Sequence, residues 1–425
     1  MVWIFPAGLA GMLPLFFHWE LFTRFFYRGD EWDQLHRMDS QGYLSWLFGF
    51  FGENFVPVFK LVWSGLLIMG GGSHFVFVVF SFLLHFCVVI LFGYLLRLWG
   101  FGLISVVFSQ SILALNYTSI EIHSQSIQFS NLLSYLFSLL ALLWCSKGYL
   151  ENRPLDTKEQ ILILIYTTLG VLCFVRGVVI GPAILLTVLL MGTIPNFRIK
   201  NFRMGAVCCL VPCVLSGIFV GLNNLSQSVG DKLLNFDSVG FGTHLFYQLA
   251  LNPLYQQIRG LEISNSTASV LLLLNIILVG VGFYFAHHRQ QLILGVLFLF
   301  FVGNCILLAY GRKHTPIDHV ATWRYQYVAL LALLPLFSIL LERILCLVRL
   351  HNLRIAATAL LLIWTGWYVY KPWSVHLHDW TNDYGLRTRD LLEQSNLSVS
   401  EHDISQFQFI ANARARELAE KYNLH

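Results

Sequence analysis

Charged residues are scarce in this sequence. Only 12% of the 425 residues are charged, whereas 56% are hydrophobic, and the mean hydropathy is +0.65. Soluble domains carry charge on roughly a quarter of their residues, so the composition excludes an ordinary soluble protein. The net charge of +4 is small. The sequence has no clustered basic face and no recognisable nucleic-acid-binding module, so nucleic acid is not an expected partner.

Several chemical signatures are also missing. The sequence contains no glycine-rich phosphate loop, no Walker lysine, no His-Glu-x-x-His and no Cys-x-x-Cys, which argues against nucleotide hydrolysis within the chain. The eight cysteines lie in or at the ends of apolar segments, and the large polar loops hold none. No disulfide framework is therefore indicated.

What the sequence does have is apolar runs of about 18 to 25 residues, the length typical of membrane-spanning helices. We predict an all-α, polytopic membrane protein with about eleven transmembrane helices. The predicted spans lie near 2–19, 74–98, 101–116, 127–146, 160–175, 177–193, 204–222, 269–286, 292–310, 327–346 and 355–371.

The long stretch between the first two spans is expected to form interfacial helices. Residues 57–72 are too few and too rich in glycine to cross a membrane comfortably, so they predict a helix lying at or dipping into the interface. Residues 30–51 also predict a surface helix. Its expected lipid-facing side chains are Trp32, Leu35, Leu44, Trp46 and Leu47, and its expected water-facing ones are Asp33, Arg37 and Asp39.

The loops between the predicted spans are of two kinds. Short loops rich in Lys and Arg, such as 147–158 and 198–203, are typical of the cytoplasmic side. The longer loops of mixed charge, which include 20–72 and 223–268, then lie outside. We predict a cytoplasmic N-terminus and an outer C-terminus, with one transmembrane domain over 1–371 and a small outer tail over 372–425.

The densest group of carboxylates beside the membrane is in the first outer loop. It comprises Asp30, Glu31 and Asp33, and Glu53 follows about twenty residues later in the same loop. Charge at a membrane boundary is costly unless it is solvated, paired or used. A carboxylate there can act as a general base or hold a divalent cation. The alternative is a solvated loop in which these acids pair with neighbouring arginines.

A cationic group precedes the tenth predicted span on the same side. It consists of Arg312, Lys313 and Arg324, with Tyr325 beside them. Arg binds phosphate through a planar fork and Lys binds it as a point charge, so this group suits a lipid phosphate. The alternative is an aromatic belt with snorkelling cations.

Two further positions have open interpretations. Arg176 interrupts an apolar run, and it either faces the same cavity or snorkels to the interface. Gln125 lies in a short polar outer loop with Glu121 and His123, and this loop either lines the cavity or forms a simple turn.

The order of these features resembles integral-membrane glycosyltransferases of the GT-C class, and is most similar to their bacterial mannosyl/arabinosyl-transferase-like branch. The late positions Gly311-Arg312 and Arg324-Tyr325 resemble the Gly-Arg and Ser-Arg-Tyr positions of that branch. Where relatives often have Glu-His-Arg, this chain has Glu53-Asn54-Phe55. The matching stretches of the first loop are Asp30-Glu31-Trp32, Glu53-Asn54-Phe55-Val56-Pro57-Val58-Phe59 and Gly70-Gly71-Gly72.

The resemblance implies a multi-pass enzyme of the bacterial inner membrane that builds a cell-envelope glycan. It would transfer a hexosyl or pentosyl group from a polyprenyl-phosphate-linked sugar to a glycan, lipid or protein acceptor at the outer face. Asp30 and Glu31 would be catalytic, as general base or metal-positioning acid, and the implied cofactor is a divalent cation, Mg or Mn. The implied substrate- and phosphate-binding residues are Arg312, Lys313, Arg324, Tyr325, Glu53, Arg176 and Gln125.

Two other functions stay open. A non-catalytic GT-C-like assembly subunit is favoured by the altered Glu53-Asn54-Phe55 stretch. A transporter of a lipid-linked solute would place charged or broken spans near the midplane, whereas the ionisable residues here gather at one face. An enzyme requires that Asp30 and the later cationic group meet in one outward-facing cavity.

Overall fold

The computed structural model describes residues 4–52, 54–192, 200–226, 265–311, 325–347 and 412–424, together with isolated positions between 355 and 392. Within these residues the chain is built from helices, and the only β pairing is one isolated bridge between Phe51 and Asn54. The all-α fold that the sequence predicts is confirmed.

Within residues 4–192 the helices follow one another along the chain with short connections. Three short 3-10 turns, at Tyr117–Ser119, Ser126–Gln128 and Val175–Val179, join some of them. The helices are α1 Ile4–Ala10, α2 Leu13–Phe17, α3 Trp19–Phe22, α4 Asp30–Gln41, α5 Tyr43–Phe48, α6 Pro57–Met69, α7 His74–Leu98, α8 Leu103–Leu115, α9 Ile120–Ser124, α10 Phe129–Leu150, α11 Thr157–Cys173, α12 Ile180–Gly192, α13 Lys200–Ser226, α14 Asn265–Phe285, α15 His288–Gly311, α16 Gln326–Cys346 and α17 Asn412–Lys421.

Five of the described helices are long and apolar enough to cross a membrane. The helix α7 is representative: its 25 residues rise about 1.5 Å each and so extend over about 37 Å, more than the hydrocarbon thickness of about 30 Å. The chain is therefore an integral membrane protein. Shorter apolar helices lie where further spans are predicted, so the count of eleven stays a prediction. The predicted span 355–371 lies largely outside the described residues. The five segments are His74–Leu98, Ser126–Leu150, Arg203–Leu222, His288–Leu308 and Gln326–Cys346.

The surface helix predicted over residues 30–51 is in fact two helices whose apolar side chains mostly face protein. Gly42, with φ of +80°, separates α4 from α5. Of the five side chains expected to face lipid, Leu44 is exposed, but the other four pack in the protein core. The prediction of a lipid-facing stripe is therefore wrong for Trp32, Leu35, Trp46 and Leu47.

Hydrogen bonds from the indole groups explain this burial, since a buried Trp N–H needs an acceptor. Trp32 Nε1 donates to the carbonyl of Tyr27 at 3.0 Å, and Trp46 Nε1 donates to Gln34 Oε1 at 3.0 Å. The first loop thus folds onto the helix bundle and carries its own polar contacts inside.

The helix α6 begins at Pro57, as the missing N–H of proline allows at a first helical position. Its Lys60 is buried, and its Nζ donates to the carbonyls of Trp46 at 2.6 Å and Gly49 at 2.9 Å. The Lys60 ammonium group thus supplies hydrogen bonds to backbone carbonyls at the C-terminal end of α5. Trp63 Nε1 donates to Ser126 Oγ at 2.8 Å, which fixes α6 against the start of α10.

The C-terminal helix α17 packs against α4 and the turn between α6 and α7. Asp39 of α4 accepts from Arg414 and from Lys421. Asn423 Nδ2 donates to the carbonyl of Gly71 at 3.2 Å. A Cβ at Gly72, whose φ is +87°, would lie 2.3 Å from the carbonyl oxygen of Asn423, so a side chain there is not tolerated. The described part of the tail therefore lies at the same end of the bundle as the first loop.

Candidate functional site

A polar cavity of about 380 Å³ lies between the start of α4 and the ends of several long helices. Its walls come from segments far apart in the sequence: the first loop, the start of α10, the turn between α11 and α12, the end of α15 and the residue before α16. The polar lining residues are Asp30, Asp33, Arg37, Asn54, Gln128, Asn131, Arg176, Asn304 and Tyr325.

The carboxylates of Asp30 and Asp33 reach this cavity from the first turn of α4. Residues three apart share a helix face, and negative side chains are favourable at a helix N-terminus because of the helix dipole. Asp30 is exposed, and Asp33 Oδ2 lies 2.8 Å from Arg37 Nε on the next turn. One wall of the cavity therefore carries two acids and one arginine.

Glu31 points the other way and is buried beneath the cavity wall. Its Oε2 accepts from the backbone N–H of Arg28 at 2.6 Å, and its Oε1 accepts from the backbone N–H of Ser126 and lies 3.4 Å from His74 Nε2. Burial acts to raise the pKa of Glu31, but the nearby His74 and these hydrogen bonds outweigh it and hold the pKa below its usual value. The adjacent acids singled out from the sequence are thus separated: Asp30 lines the cavity, and Glu31 ties α4 to α7 and α10.

Arg176 enters the cavity from the turn that joins α11 to α12. It is 3% exposed, so it does not snorkel to the surface. Its Nη1 donates to the hydroxyl of Tyr135 at 2.5 Å, and its guanidinium carbon lies 4.7 Å from the centre of the Tyr325 ring. Arginine keeps its charge when buried. The turn therefore places a fixed cation on the wall of the cavity that holds Asp30.

Tyr325 brings the later part of the chain into the same cavity. It directly precedes α16 and is 5% exposed. The other members of the predicted group, Arg312, Lys313 and Arg324, lie outside the described residues, as does Glu53. Residues from the front and the rear of the sequence thus meet through Asp30, Arg176 and Tyr325.

Gln125 lies behind the cavity wall, since it is not among the lining residues. With its side-chain oxygen turned toward Arg28, it accepts from Nη2 of that guanidinium at 2.5 Å and from Nε at 3.2 Å. His123 of the same loop is stacked 3.9 Å from the ring of Phe82, deep among aromatic side chains. The short polar loop therefore supports the cavity from behind.

The amide residues Gln128, Asn131 and Asn304 are cavity residues that the sequence pattern did not single out. They lie in or beside apolar runs predicted as spans. The sequence did hold one signal for them. A polar side chain inside a membrane-spanning helix is energetically costly, so polar residues within predicted spans are functional candidates. Asn54 was notable in the sequence only as a departure from the family pattern, yet it lines the cavity.

A divalent cation, which the family resemblance implies, is not matched by a full ligand set in the described residues. Asp30 and Asp33 supply two carboxylates, and Asp33 is already engaged by Arg37. No group of three or more His, Cys, Asp or Glu side chains suited to a metal occurs in the described parts of the chain. Mg²⁺ is usually held by one or two carboxylates together with waters and substrate phosphate, so of the described residues Asp30 and Asp33 would hold it.

An apolar groove of about 410 Å³ lies between α11 and α13. Phe219 packs there against Phe55, with ring centres 4.9 Å apart. Phe55 follows Asn54 of the cavity wall in the chain, and Leu172 of the groove lies two residues before Phe174 of the cavity wall. A lipid chain in the groove would thus end beside the polar cavity.

Comparisons with known proteins give a likeness in structure only. No protein-family model matches the sequence, and no curated protein matches it. A structure of an oligosaccharyltransferase from Archaeoglobus fulgidus, tethered with an acceptor peptide containing the NVT sequon, is similar with a TM-score of 0.47 and 12% identity. That match covers 100% of this chain and 58% of that one.

A second structure is of the archaeal oligosaccharyltransferase AglB from the same organism, in complex with an inhibitory peptide and a dolichol-phosphate. It has a TM-score of 0.47 and 15% identity, and the match covers 98% of this chain and 60% of that one. The chain thus spans about three fifths of the length of these structures. At this level of identity the site is assigned from its own residues.

Proposed function

We propose that the chain is a GT-C-type glycosyltransferase that moves a sugar from a polyprenyl-phosphate-linked donor to an acceptor at the outer face of the membrane. The observation that supports this most is the shared cavity, which Asp30 of the first loop lines together with Arg176 and Tyr325 from later parts of the chain. The resemblance of the first-loop motifs to GT-C enzymes gives the class of reaction. The acceptor is a glycan, a lipid or a protein.

In the proposed reaction Asp30 removes a proton from the acceptor nucleophile as it attacks the anomeric carbon. The bond from that carbon to the phosphate oxygen breaks, and the lipid phosphate leaves with the negative charge. Arg176 stabilises this charge, because its guanidinium is held in place by Tyr135 before the substrate binds. Arg312, Lys313 and Arg324 are proposed as further phosphate-binding cations, and Arg324 directly precedes Tyr325 of the cavity wall.

Glu31 and Gln125 have positioning roles in this proposal. Glu31 is bound by two backbone N–H groups and His74, so it holds the first turn of α4 and hence Asp30. Gln125 supports Arg28, because its side-chain oxygen accepts from that guanidinium. The isoprenoid chain of the donor lies in the groove between α11 and α13, beside Phe55 and Phe219.

The experiment is sugar transfer by the purified protein in liposomes, with a panel of radiolabelled polyprenyl-phosphate sugars. General-base catalysis contributes about a hundred- to ten-thousand-fold to a rate, so Asp30→Asn should lower transfer by that factor and leave thermal stability unchanged. Glu151→Gln is the matched control, since Glu151 is exposed and far from the cavity lining. Transfer by Asp30→Asn at the wild-type rate would refute the proposed role of Asp30. Absence of transfer by the wild type with every donor would refute the proposed transferase activity.

A second candidate, a non-catalytic GT-C-like subunit, is favoured by the altered stretch in the first loop. Asn54 and Phe55 stand where relatives often have His and Arg. Asn54 lines the cavity, and Phe55 packs in the groove. Saturable binding of a polyprenyl-phosphate sugar to the wild-type protein, with no transfer to any acceptor, would support this alternative.

A further inference from the structure

The polar lining of the cavity is of two kinds. The charged side chains belong to α4 and to the turn before α12, whereas the polar side chains of α10 and α15 are neutral amides, with Gln128 just before α10. This amide side adjoins the Arg176 guanidinium, which donates to Tyr135 of α10 at 2.5 Å. A phosphate binds to cations, so the amides are available to another part of the substrate.

Asn131 is held as a hydrogen-bond acceptor on this amide side. Its Nδ2 donates to the carbonyl of Gln128 at 3.2 Å and to Gln128 Oε1 at 2.9 Å. Turning the amide over would lose both bonds, so the oxygen Oδ1 must face the other way. Asn131 is 1% exposed, and its Oδ1 has no hydrogen-bond partner in the described part of the chain.

Asn304 repeats this arrangement on α15. Its Nδ2 donates to the carbonyl of Phe300 one turn earlier at 2.8 Å. Asn304 is also 1% exposed, and its Oδ1 likewise lacks a hydrogen-bond partner among the described residues. Two buried carbonyl oxygens on opposite helices of one cavity are therefore fixed acceptors that need donors.

The two asparagines occupy corresponding positions on their helices. The helix α10 leaves the cavity at its beginning and α15 reaches it at its end, so the two helices run antiparallel there. One turn deeper on each helix, Tyr135 and Phe300 contact each other with ring centres 6.3 Å apart. Asn131 and Asn304 therefore each lie one helical turn from this aromatic contact, toward the cavity.

We propose that Asn131 and Asn304 form a hydroxyl-recognition site for the glycosyl group, in which each Oδ1 accepts a hydrogen bond from one sugar hydroxyl. This inference rests on the proposed function and adds the residues that select the sugar. Of the parts of a lipid-linked donor, the isoprenoid chain has no polar hydrogen and the ionised phosphodiester has only acceptors, so the hydroxyls are the matching donors. A buried acceptor left without a donor changes an equilibrium constant by about 5- to 150-fold.

The test compares farnesyl-phosphate mannose with its 2-, 3-, 4- and 6-deoxy analogues, and farnesyl-phosphate arabinose with its own deoxy analogues. Both kcat/KM for transfer and Kd in lipid nanodiscs are measured. The wild-type protein should prefer the parent sugar over two of the deoxy analogues by about 5- to 150-fold. Asn131→Leu should remove one of these preferences and Asn304→Leu the other.

Asn275→Leu is the matched control, because Asn275 is a buried amide of α14 that is not among the cavity-lining residues. It should keep both preferences. Asn131→Ser and Asn304→Ser serve if the leucine variants do not fold, since a shorter side chain also loses the contact. Unchanged preferences in the asparagine variants, or no preference in the wild type, would overturn the inference.

The two readouts separate this inference from the proposed function. If the wild type transfers sugar but the asparagine variants keep its preferences, the proposed recognition site is refuted and the proposed transferase activity is supported. If no transfer occurs, but the Kd values show both preferences in the wild type and their loss in the asparagine variants, the recognition site is supported and the proposed transferase activity is refuted. Failure of the wild type to bind any glycosyl lipid would overturn both.

Discussion

Replacement of Glu31 by Gln should destabilise the protein without touching the wall of the cavity. The Glu31 side chain is 1% exposed and accepts from two backbone N–H groups, of Arg28 and Ser126, in addition to its contact with His74. A glutamine keeps one acceptor oxygen, but its NH₂ group would face an N–H donor. A hydrogen bond to a charged group contributes about 1.5–3 kcal/mol, and a buried donor left without its acceptor costs about 1–3 kcal/mol.

Because Gln preserves the shape of the side chain, we expect a loss of about 3 kcal/mol in the free energy of unfolding. For a chain of 425 residues this lowers Tm by roughly 3 °C, given an unfolding entropy of about 2.1 cal/mol/K per residue. Tryptophan fluorescence during heating at one fixed scan rate measures the change in a suitable detergent. Asp30→Asn should leave Tm unchanged under the same conditions.

The pH dependence gives this prediction a second readout. The folded protein holds the pKa of Glu31 below its ordinary value of 4.5. A lowered pKa means that the stabilisation is fully present above pH 4.5 and is lost as the pH falls through the folded-state pKa. The stability difference between wild type and Glu31→Gln should therefore narrow on acidification. An equal Tm for the two proteins at pH 7, or a difference that widens in acid, would refute the reasoning.

Two further predictions concern the supports of the first loop. Burial lowers the pKa of Lys60 to about 8, so between that pH and its ordinary value of 10.5 the unfolded chain holds more protons and stability rises with pH. Lys60→Met should abolish this rise in thermal melts taken from pH 7 to 10, and a rise that persists in the variant would exclude Lys60 as its source. Asp39→Asn removes the negative charge that Arg414 and Lys421 share and one of its two acceptor oxygens, and it should speed backbone hydrogen exchange in α17. Glu417→Gln, which changes a contact within α17 only, should not; equal exchange in both variants would show that Asp39 does not hold the helix.

The sequence predicted the class of fold well because apolar runs of this length seldom occur outside membrane-spanning helices. It also located Asp30 and Arg176 as candidates, since charge beside or within apolar segments is costly and therefore informative. Both residues line the cavity. The cationic group around Arg312 and Arg324 stays a prediction, because those residues lie outside the described part of the chain.

Because a helix turns by about 100° per residue, the spacing predicts that Asp30 and Asp33 share a face and that Glu31 points elsewhere. What the sequence could not provide was which of these faces reaches the cavity and which the core. Similarly, Trp32 and Trp46 fit a lipid-facing stripe by spacing alone. Their burial depends on acceptors at Tyr27 and Gln34, which no pattern of hydrophobicity specifies.

The helix α4 has one more consequence, which comes from its length. Its 12 residues extend over about 18 Å, with Asp30 at one end and, close to the other, the Asp39 that binds the C-terminal helix. A helix of this length moves as a rigid body. A tilt of α17 that displaces Asp39 therefore also displaces the Asp30 carboxylate in the cavity. The contact of α17 with Asp39 and the position of the Asp30 carboxylate are thus mechanically linked.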